Sequence, residues 1–271
     1  MLIKILFLGD IVGEPGRRAV IESLPHIRDE HGIDFIIVNG ENSANGRGIT
    51  PKISIDLLRA GAAVITSGDH IWDQREIAAY IPTEPRLLRP INYPPGVPGA
   101  GSIVLETAKG SIGVISVQGR TFMKMALENP FLAIQAEVEK MREQTKVIFV
   151  DVHAEATSEK VAMGRFLDGK VSAVVGTHTH VQTADERILP GGTAFLCDAG
   201  MCGPIDSIIG SDVGPIIERF LTALPSPSPV ARSSDVQISG AIVTVESETG
   251  HAIAIERLTR HFGSAPNESA K

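Results

Sequence analysis

The run Val174-Val175-Gly176-Thr177-His178-Thr179-His180 constrains this chain more than any other stretch, because a short apolar segment stops there at two histidines one residue apart. In an extended chain, side chains at i and i+2 point to the same side. Both imidazoles are then expected to face one point, a spacing that suits a metal ion. Four other short apolar runs end in the same manner. Residues 6–10 end at Asp10, 36–42 at Glu41 and Asn42, 64–70 at Asp69 and His70, and 147–153 at His153. In open α/β sheets the site lies outside the carboxyl ends of the strands, so these polar residues are expected to converge on one pocket.

The segments between these runs support that class. After Asp10 a turn with Gly13 and Gly16 leads to a helix through about Glu30, with Pro15 in its first turn and Gly32 as its stop. A strand over 34–38 runs into a loop, 39–49, with three glycines and three asparagines. Such residues allow the backbone conformations that a tight functional loop needs. Thr50-Pro51 reads as N-cap and first helical residue of a helix ending near Gly61. A helix is expected to run up to Tyr80, then an ordered loop over 82–101 with six prolines.

Apolar runs over 102–106 and 111–117 predict a hairpin, followed by Gln118-Gly119-Arg120. A helix over 130–144, a strand over 146–151 and a short helix opened by Glu155 lead back to the strand that carries the two histidines. Beyond it, a strand over 193–197, a loop at 198–204, a helix over 214–224, a proline-stiffened connector over 225–235 and a hairpin over 240–258 complete the reading. The 271 residues suit one α/β domain over 1–262 with a flexible tail at 263–271.

Composition excludes several alternatives. The net charge of −7 argues against a duplex nucleic-acid surface, which needs clustered Lys and Arg. No apolar run reaches the roughly 18 residues that span a bilayer, and residues 1–10 read as a first core strand rather than a signal peptide. No membrane partner is expected. Two cysteines, Cys197 and Cys202, cannot staple a chain of this length, which fits a reducing cytoplasm. Nothing in the sequence sets the oligomeric state, and a homo-oligomer is compatible with it.

The candidate set is three carboxylates (Asp10, Glu41, Asp69), the amide of Asn42 and four histidines (His70, His153, His178, His180). A serine hydrolase would carry a Gly-X-Ser-X-Gly elbow, and none is present. A structural zinc needs only four ligands, usually cysteine and histidine at short spacing. Two ions a few Å apart account for the excess, because they share a bridging carboxylate and need several terminal ligands. Oxygen and nitrogen donors without thiolate suit Mn, Fe, Zn or Co. Such a pair promotes hydrolysis at phosphorus. Beside it Arg47 and Arg120 become candidate phosphate clamps, since a guanidinium matches phosphate oxygens bidentately.

The phrases Leu8-Gly-Asp-Ile-Val-Gly, Asn39-Gly-Glu-Asn-Ser-Ala-Asn-Gly, Gly176-Thr-His-Thr-His-Val-Gln-Thr-Ala-Asp and Asp198-Ala-Gly-Met resemble the YmdB-like branch of the metallophosphoesterase superfamily, from Met1 to about Leu258. The resemblance implies an α/β sandwich of mixed sheets flanked by helices, with a dinuclear site at the carboxyl ends of the strands. It implies a phosphodiesterase acting on 2′,3′-cyclic nucleotides, in which a metal-bound hydroxide attacks phosphorus. Asp10, Glu41, Asn42 and His180 would hold one ion, and Glu41, Asp69, His153 and His178 the other, with Glu41 as bridge. His70 would protonate the leaving oxygen or bind the phosphate. Iron or manganese is the expected metal, with zinc or cobalt as alternatives. The superfamily's usual Gly-Asn-His is Gly-Asp69-His70 here, so a carboxylate replaces a neutral amide. A nucleotide-binding regulator with slow hydrolysis and a phosphomonoesterase are the competing functions.

Overall fold

The computed structural model describes residues 1–125 and 127–263, so the expected tail lies outside the described residues except for Gly263. Its first third alternates strand and helix: β1 (Leu2–Leu8), a short β2 (Asp10–Ile11), α1 (Gly13–His31), β3 (Phe35–Asn39), α2 (Pro51–Arg59), β4 (Val64–Thr66) and α3 (Ile77–Tyr80). The hairpin of β5 (Ser102–Thr107) and β6 (Gly110–Gln118) precedes α4 (Pro130–Met141), β7 (Val147–His153), α5 (Thr157–Leu167) and β8 (Ala173–Thr177). Three short strands follow, β9 (Arg187–Ile188), β10 (Ala194–Leu196) and β11 (Met201–Pro204). Then come α6 (Val213–Thr222) and the long hairpin of β12 (Val236–Glu246) and β13 (Ala252–Phe262).

Strand alternation divides the core into layers. In β1, Ile3, Ile5 and Phe7 face the opposing sheet, while Leu6 and Leu8 face α1 and α2. In β7, Val147 and Phe149 point between the sheets, while Ile148, Val150 and Val152 meet α4 and α5. The rings of Phe7 and Phe149 touch across that middle layer at 5.1 Å. Two mixed sheets thus pack face to face with helices on both outer surfaces, the α/β sandwich expected from the sequence. Among the described residues one sheet has seven strands, ordered β2-β11-β12-β1-β3-β4 with β13 on β12, and the other six, ordered β5-β6-β7-β8-β10-β9.

Parallel pairing aims the functional loops. The strands β1, β3 and β4 run parallel in one sheet, and β6, β7, β8 and β10 in the other. Their carboxyl ends open toward one rim of the sandwich. Capping follows the sequence where the sequence was explicit. Thr50 Oγ1 accepts the Ile53 N–H at the start of α2, and Gly32 ends α1 at φ 62°.

The proline-rich stretch is ordered along the rim of both sheets. Leu87 and Leu88 are buried, Leu88 N–H donates to Ile65, and Ile91 N–H donates to Ser116. Two expectations need correcting. The helix up to Tyr80 is a single turn, because residues 70–74 are drawn into turns by bonds such as Gln74 Nε2 to the Arg47 carbonyl. The last hairpin starts at Val236 rather than 240, because β11 and β13 both pair with its first residues. No helix among the described residues is long and apolar enough to cross a membrane.

Candidate metal centre

Four strand ends deliver the central cluster. Atoms of Glu41 after β3, Asp69 after β4, His153 at the end of β7 and His178 after β8 all lie within 4.8 Å of one another. His153 Nε2 is the hub, 3.0 Å from Glu41 Oε1, 3.2 Å from Asp69 Oδ1 and 3.0 Å from His178 Nδ1. His178 Nε2 lies 3.1 Å from Glu155 Oε2, which turns the other ring nitrogen inward. A Cβ at Gly68 would overlap both His153 Cδ2 and Glu41 Oε2, so only glycine lets these chains approach so closely.

A second group adjoins the first. His180 Nδ1 donates to the Ile209 carbonyl at 2.8 Å, which leaves Nε2 as a lone-pair donor 3.2 Å from Asn42 Oδ1. The Asn42 amide nitrogen is used elsewhere, donating to the Gly46 carbonyl. Two acceptors therefore face each other. Asp10 is fully buried, its Oδ2 accepts the His178 N–H, and its Oδ1 has no hydrogen-bond partner.

The geometry changes one argument from the sequence. The strand stops at Thr177, and His178 and His180 take positive φ values of 98° and 66° rather than extended ones. The i, i+2 rule consequently fails, and the two imidazoles point to different groups. His178 joins Glu41, Asp69 and His153, while His180 joins Asn42. Asp198 holds the turn between them by accepting the Thr179 N–H and hydroxyl on Oδ2.

Charge identifies what this pocket lacks. Asp10, Glu41 and Asp69 are carboxylates with little or no exposure, an arrangement that is costly without positive charge among them. Burial alone would lower the His153 pKa, but Glu41, Asp69 and Asp10 outweigh it and hold it well above the usual histidine range. For Asp69, burial is likewise outweighed, by hydrogen bonds from His153 and His178, and its pKa falls. Oxygen and imidazole donors, an orphaned Asp10 oxygen and excess negative charge together fit a divalent cation.

The groups open into a cavity of about 350 Å³ lined by Glu41, Asn42, Arg47, His70, Glu155, His178 and His180. It is also lined by Ile209 from the loop before α6, Arg219 of α6, and Ser228 and Val230 from the connector after it. His70 Nδ1 lies 3.0 Å from Asp73 Oδ2, and its Nε2 3.9 Å from Asp69 Oδ2. Arg120 does not line the cavity; its backbone N–H is held by Glu159. Sequence reasoning missed Glu155, Asp73 and Arg219. Glu155 sits two residues past a strand-end histidine and Asp73 three past His70, so proximity was the available signal; Arg219 gave none.

The decisive comparison is over the whole span of these loops. The family model for YmdB-like protein matches residues 6–258, every strand-end residue included. The chain belongs to the YmdB-like family. This YmdB-like chain is 47% identical over 255 residues to the 2′,3′-cyclic-nucleotide 2′-phosphodiesterase of Bacillus subtilis (strain 168), covering 94% of the chain and 96% of that relative. Its fold matches a novel phosphatase from Mycoplasma pneumoniae at TM-score 0.91 and 33% identity, over 97% of this chain and 95% of that one. A hypothetical protein from Thermus thermophilus matches at TM-score 0.89 and 41% identity, over 96% and 100%.

Proposed function

We propose that this YmdB-like chain is a two-metal phosphodiesterase that hydrolyses 2′,3′-cyclic nucleotides or closely related phosphodiesters. The observation that carries the reading is the convergence of buried Glu41 and His153 with half-buried Asp69 and His178, beside Asp10, Asn42 and His180. The 47% identity to a cyclic-nucleotide phosphodiesterase along nearly the whole of both chains supports the substrate class. We assign Asp10, Asn42 and His180 to one cation and Asp69, His153 and His178 to the other, with Glu41 shared. Iron or manganese is our preferred metal, and zinc or cobalt also suits the donors. When bound, the cations would lower the pKa of water and neutralise charge that builds on phosphorus.

The remaining chemistry falls to the side chains. His70, with Nδ1 bonded to Asp73, presents Nε2 to donate a proton to the departing ribose oxygen. Arg47 and Arg219 supply positive charge around the cavity that receives the phosphate. Cavities that hold small ligands usually start near 300 Å³, so about 350 Å³ accommodates one nucleotide but no duplex. The buried thiols of Cys197 and Cys202 are free, which supports a reducing compartment, and we place the protein in the cytoplasm.

Steady-state hydrolysis of 2′,3′-cyclic AMP with Mn²⁺ or Fe²⁺, beside p-nitrophenyl phosphate and its bis ester, tests this function. Turnover of the cyclic nucleotide and the bis ester above the monoester is expected. Binding of the cyclic nucleotide without turnover would contradict it and favour a regulator.

Asp69 sets a further expectation. A carboxylate holds a cation more tightly than an amide but donates more charge to it. Asp69→Asn is expected to weaken metal binding by at least about tenfold, since loss of even an outer partner of a ligand costs about 10–100-fold, and to raise kcat. Chelator competition and initial rates at saturating metal check both directions.

A further inference from the structure

Directly beneath the cluster, in the otherwise apolar layer between the sheets, lies one carboxylate that the mechanism above does not use. Asp151 is fully buried in β7 on the inward face, two positions before His153. Three donors from three other strands converge on it. Asn39 Nδ2 donates to Oδ2 at 2.9 Å, Thr66 Oγ1 to the same oxygen at 2.5 Å, and Thr177 Oγ1 to Oδ1 at 2.7 Å. Each donor is the last residue of its strand: Asn39 of β3, Thr66 of β4 and Thr177 of β8. Each is followed within three residues by one of the clustered groups: Glu41, Asp69 and His178.

The bonds continue upward into the cluster. Asn39 Oδ1 accepts the Glu41 N–H at 3.1 Å, tying the shared carboxylate's backbone to the same amide that reaches Asp151. Thr177 Oγ1 lies 2.9 Å from His153 Nδ1. A hydroxyl has one proton, and here it goes to the carboxylate. Thr177 Oγ1 therefore accepts from His153 Nδ1–H, which leaves Nε2 as the nitrogen facing Glu41, Asp69 and His178, the one whose lone pair a cation there would take in place of a proton.

We propose that Asp151 is a positioning residue for the metal centre: it pins the ends of β3, β4 and β8 across the two sheets and, through Thr177, fixes the His153 tautomer. The proposal rests on reading the cluster as a metal site. A metal-ligating histidine generally donates its other N–H to a carboxylate or carbonyl, directly or through a neighbour, and loss of that partner weakens metal binding. Here the partner is a threonine hydroxyl backed by a carboxylate that also grips the opposing sheet.

The test uses the whole chain with Mn²⁺ or Zn²⁺ as the probe, and affinity is read by competition with a chromophoric chelator. Thr177→Val keeps the shape of the side chain and removes the relay. It is expected to weaken one of two metal equivalents by about 10–100-fold, the usual range for such supporting groups, and to leave the other near wild type. Thr177→Ser, which restores the hydroxyl, is expected to recover the affinity. Asp151→Asn should impair the same equivalent, and the double variant Asp151→Asn/Thr177→Val should lose less than the sum of the two single variants, because the Thr177 path is common to both.

The thermal midpoint of metal-free Thr177→Val, close to that of the wild-type chain, separates lost positioning from lost folding. Wild-type affinity for both equivalents in Thr177→Val would overturn this inference alone, as would a Thr177→Ser variant as weak as Thr177→Val or additive losses in the double variant. A wild-type chain that binds neither metal would overturn the metal-centre reading and this inference with it.

Discussion

Replacing Glu41 by alanine is expected to abolish turnover and to reduce the metal content from two equivalents to at most one, while the metal-free protein stays folded. The carboxylate belongs to the first group and sits one residue before Asn42 of the second. Its Oε1 lies 3.0 Å from His153 Nε2, and its Oε2 accepts the His70 N–H at 3.4 Å. In the proposed assignment it is the one ligand shared by both cations, so its loss opens both sites together. A fall in kcat/KM of at least about 10³-fold is expected, since one misplaced charge-stabilising donor already costs about 10²–10³. Stability should move little or upward in the metal-free chain, because the substitution removes one of several crowded negative charges. Metal analysis by mass spectrometry and rates on 2′,3′-cyclic AMP check the first part, and thermal denaturation in chelator the second. Wild-type activity in Glu41→Ala would refute the assignment.

The largest expected stability loss lies at Lys160→Met. The Lys160 ammonium is buried in the outer layer under α5, 2.6 Å from Asp198 Oδ2 and 2.9 Å from the Thr177 carbonyl. Asp198 is equally buried, and its oxygens also hold Thr179 and Gly200. Methionine fills similar volume but leaves that carboxylate without its counterion. Breaking a buried pair in this way costs about 3–5 kcal/mol. A fall of that size in the unfolding free energy from urea denaturation is expected, with disturbed metal binding through the Thr177–His180 turn. A loss below about 1 kcal/mol, the scale of an exposed pair, would mean that the ammonium reaches solvent.

These two residues mark how far the sequence could be read. Glu41 was legible because it follows an apolar strand and sits among glycines and asparagines, where a polar residue has no packing reason to be. The same logic found Asp10, Asp69, His153, His178 and His180, and the sandwich itself followed from apolar runs alternating with helical spacing. Lys160 was not legible, because a lysine in a short amphipathic helix reads as a solvated charge until a buried acid is found opposite it. Asp151 was hidden for another reason. Both faces of β7 are apolar, so the run 147–152 shows no alternation that would say which way its single acid points.

Short elements escaped for want of any period. The strand β2 has two residues and β11 four, yet their parallel pairing, Met201 to Asp10, closes the sheet edge beside the site. Gly9 and Gly16 permit this approach, since a Cβ at either would overlap the carbonyls of Gly200 and Cys202. The paired histidines were found for a reason that does not hold. Their left-handed backbone sends them to separate groups, which the resemblance implied and the extended-strand argument did not.

Anomalous diffraction from crystals of the manganese-loaded chain tests the central claim most directly. Two peaks are expected at the carboxyl ends of the strands, one among Asp69, His153 and His178 and one among Asp10, Asn42 and His180, with the Glu41 carboxylate between them. A single peak away from Glu41, or none in that pocket at saturating metal, would contradict the dinuclear centre.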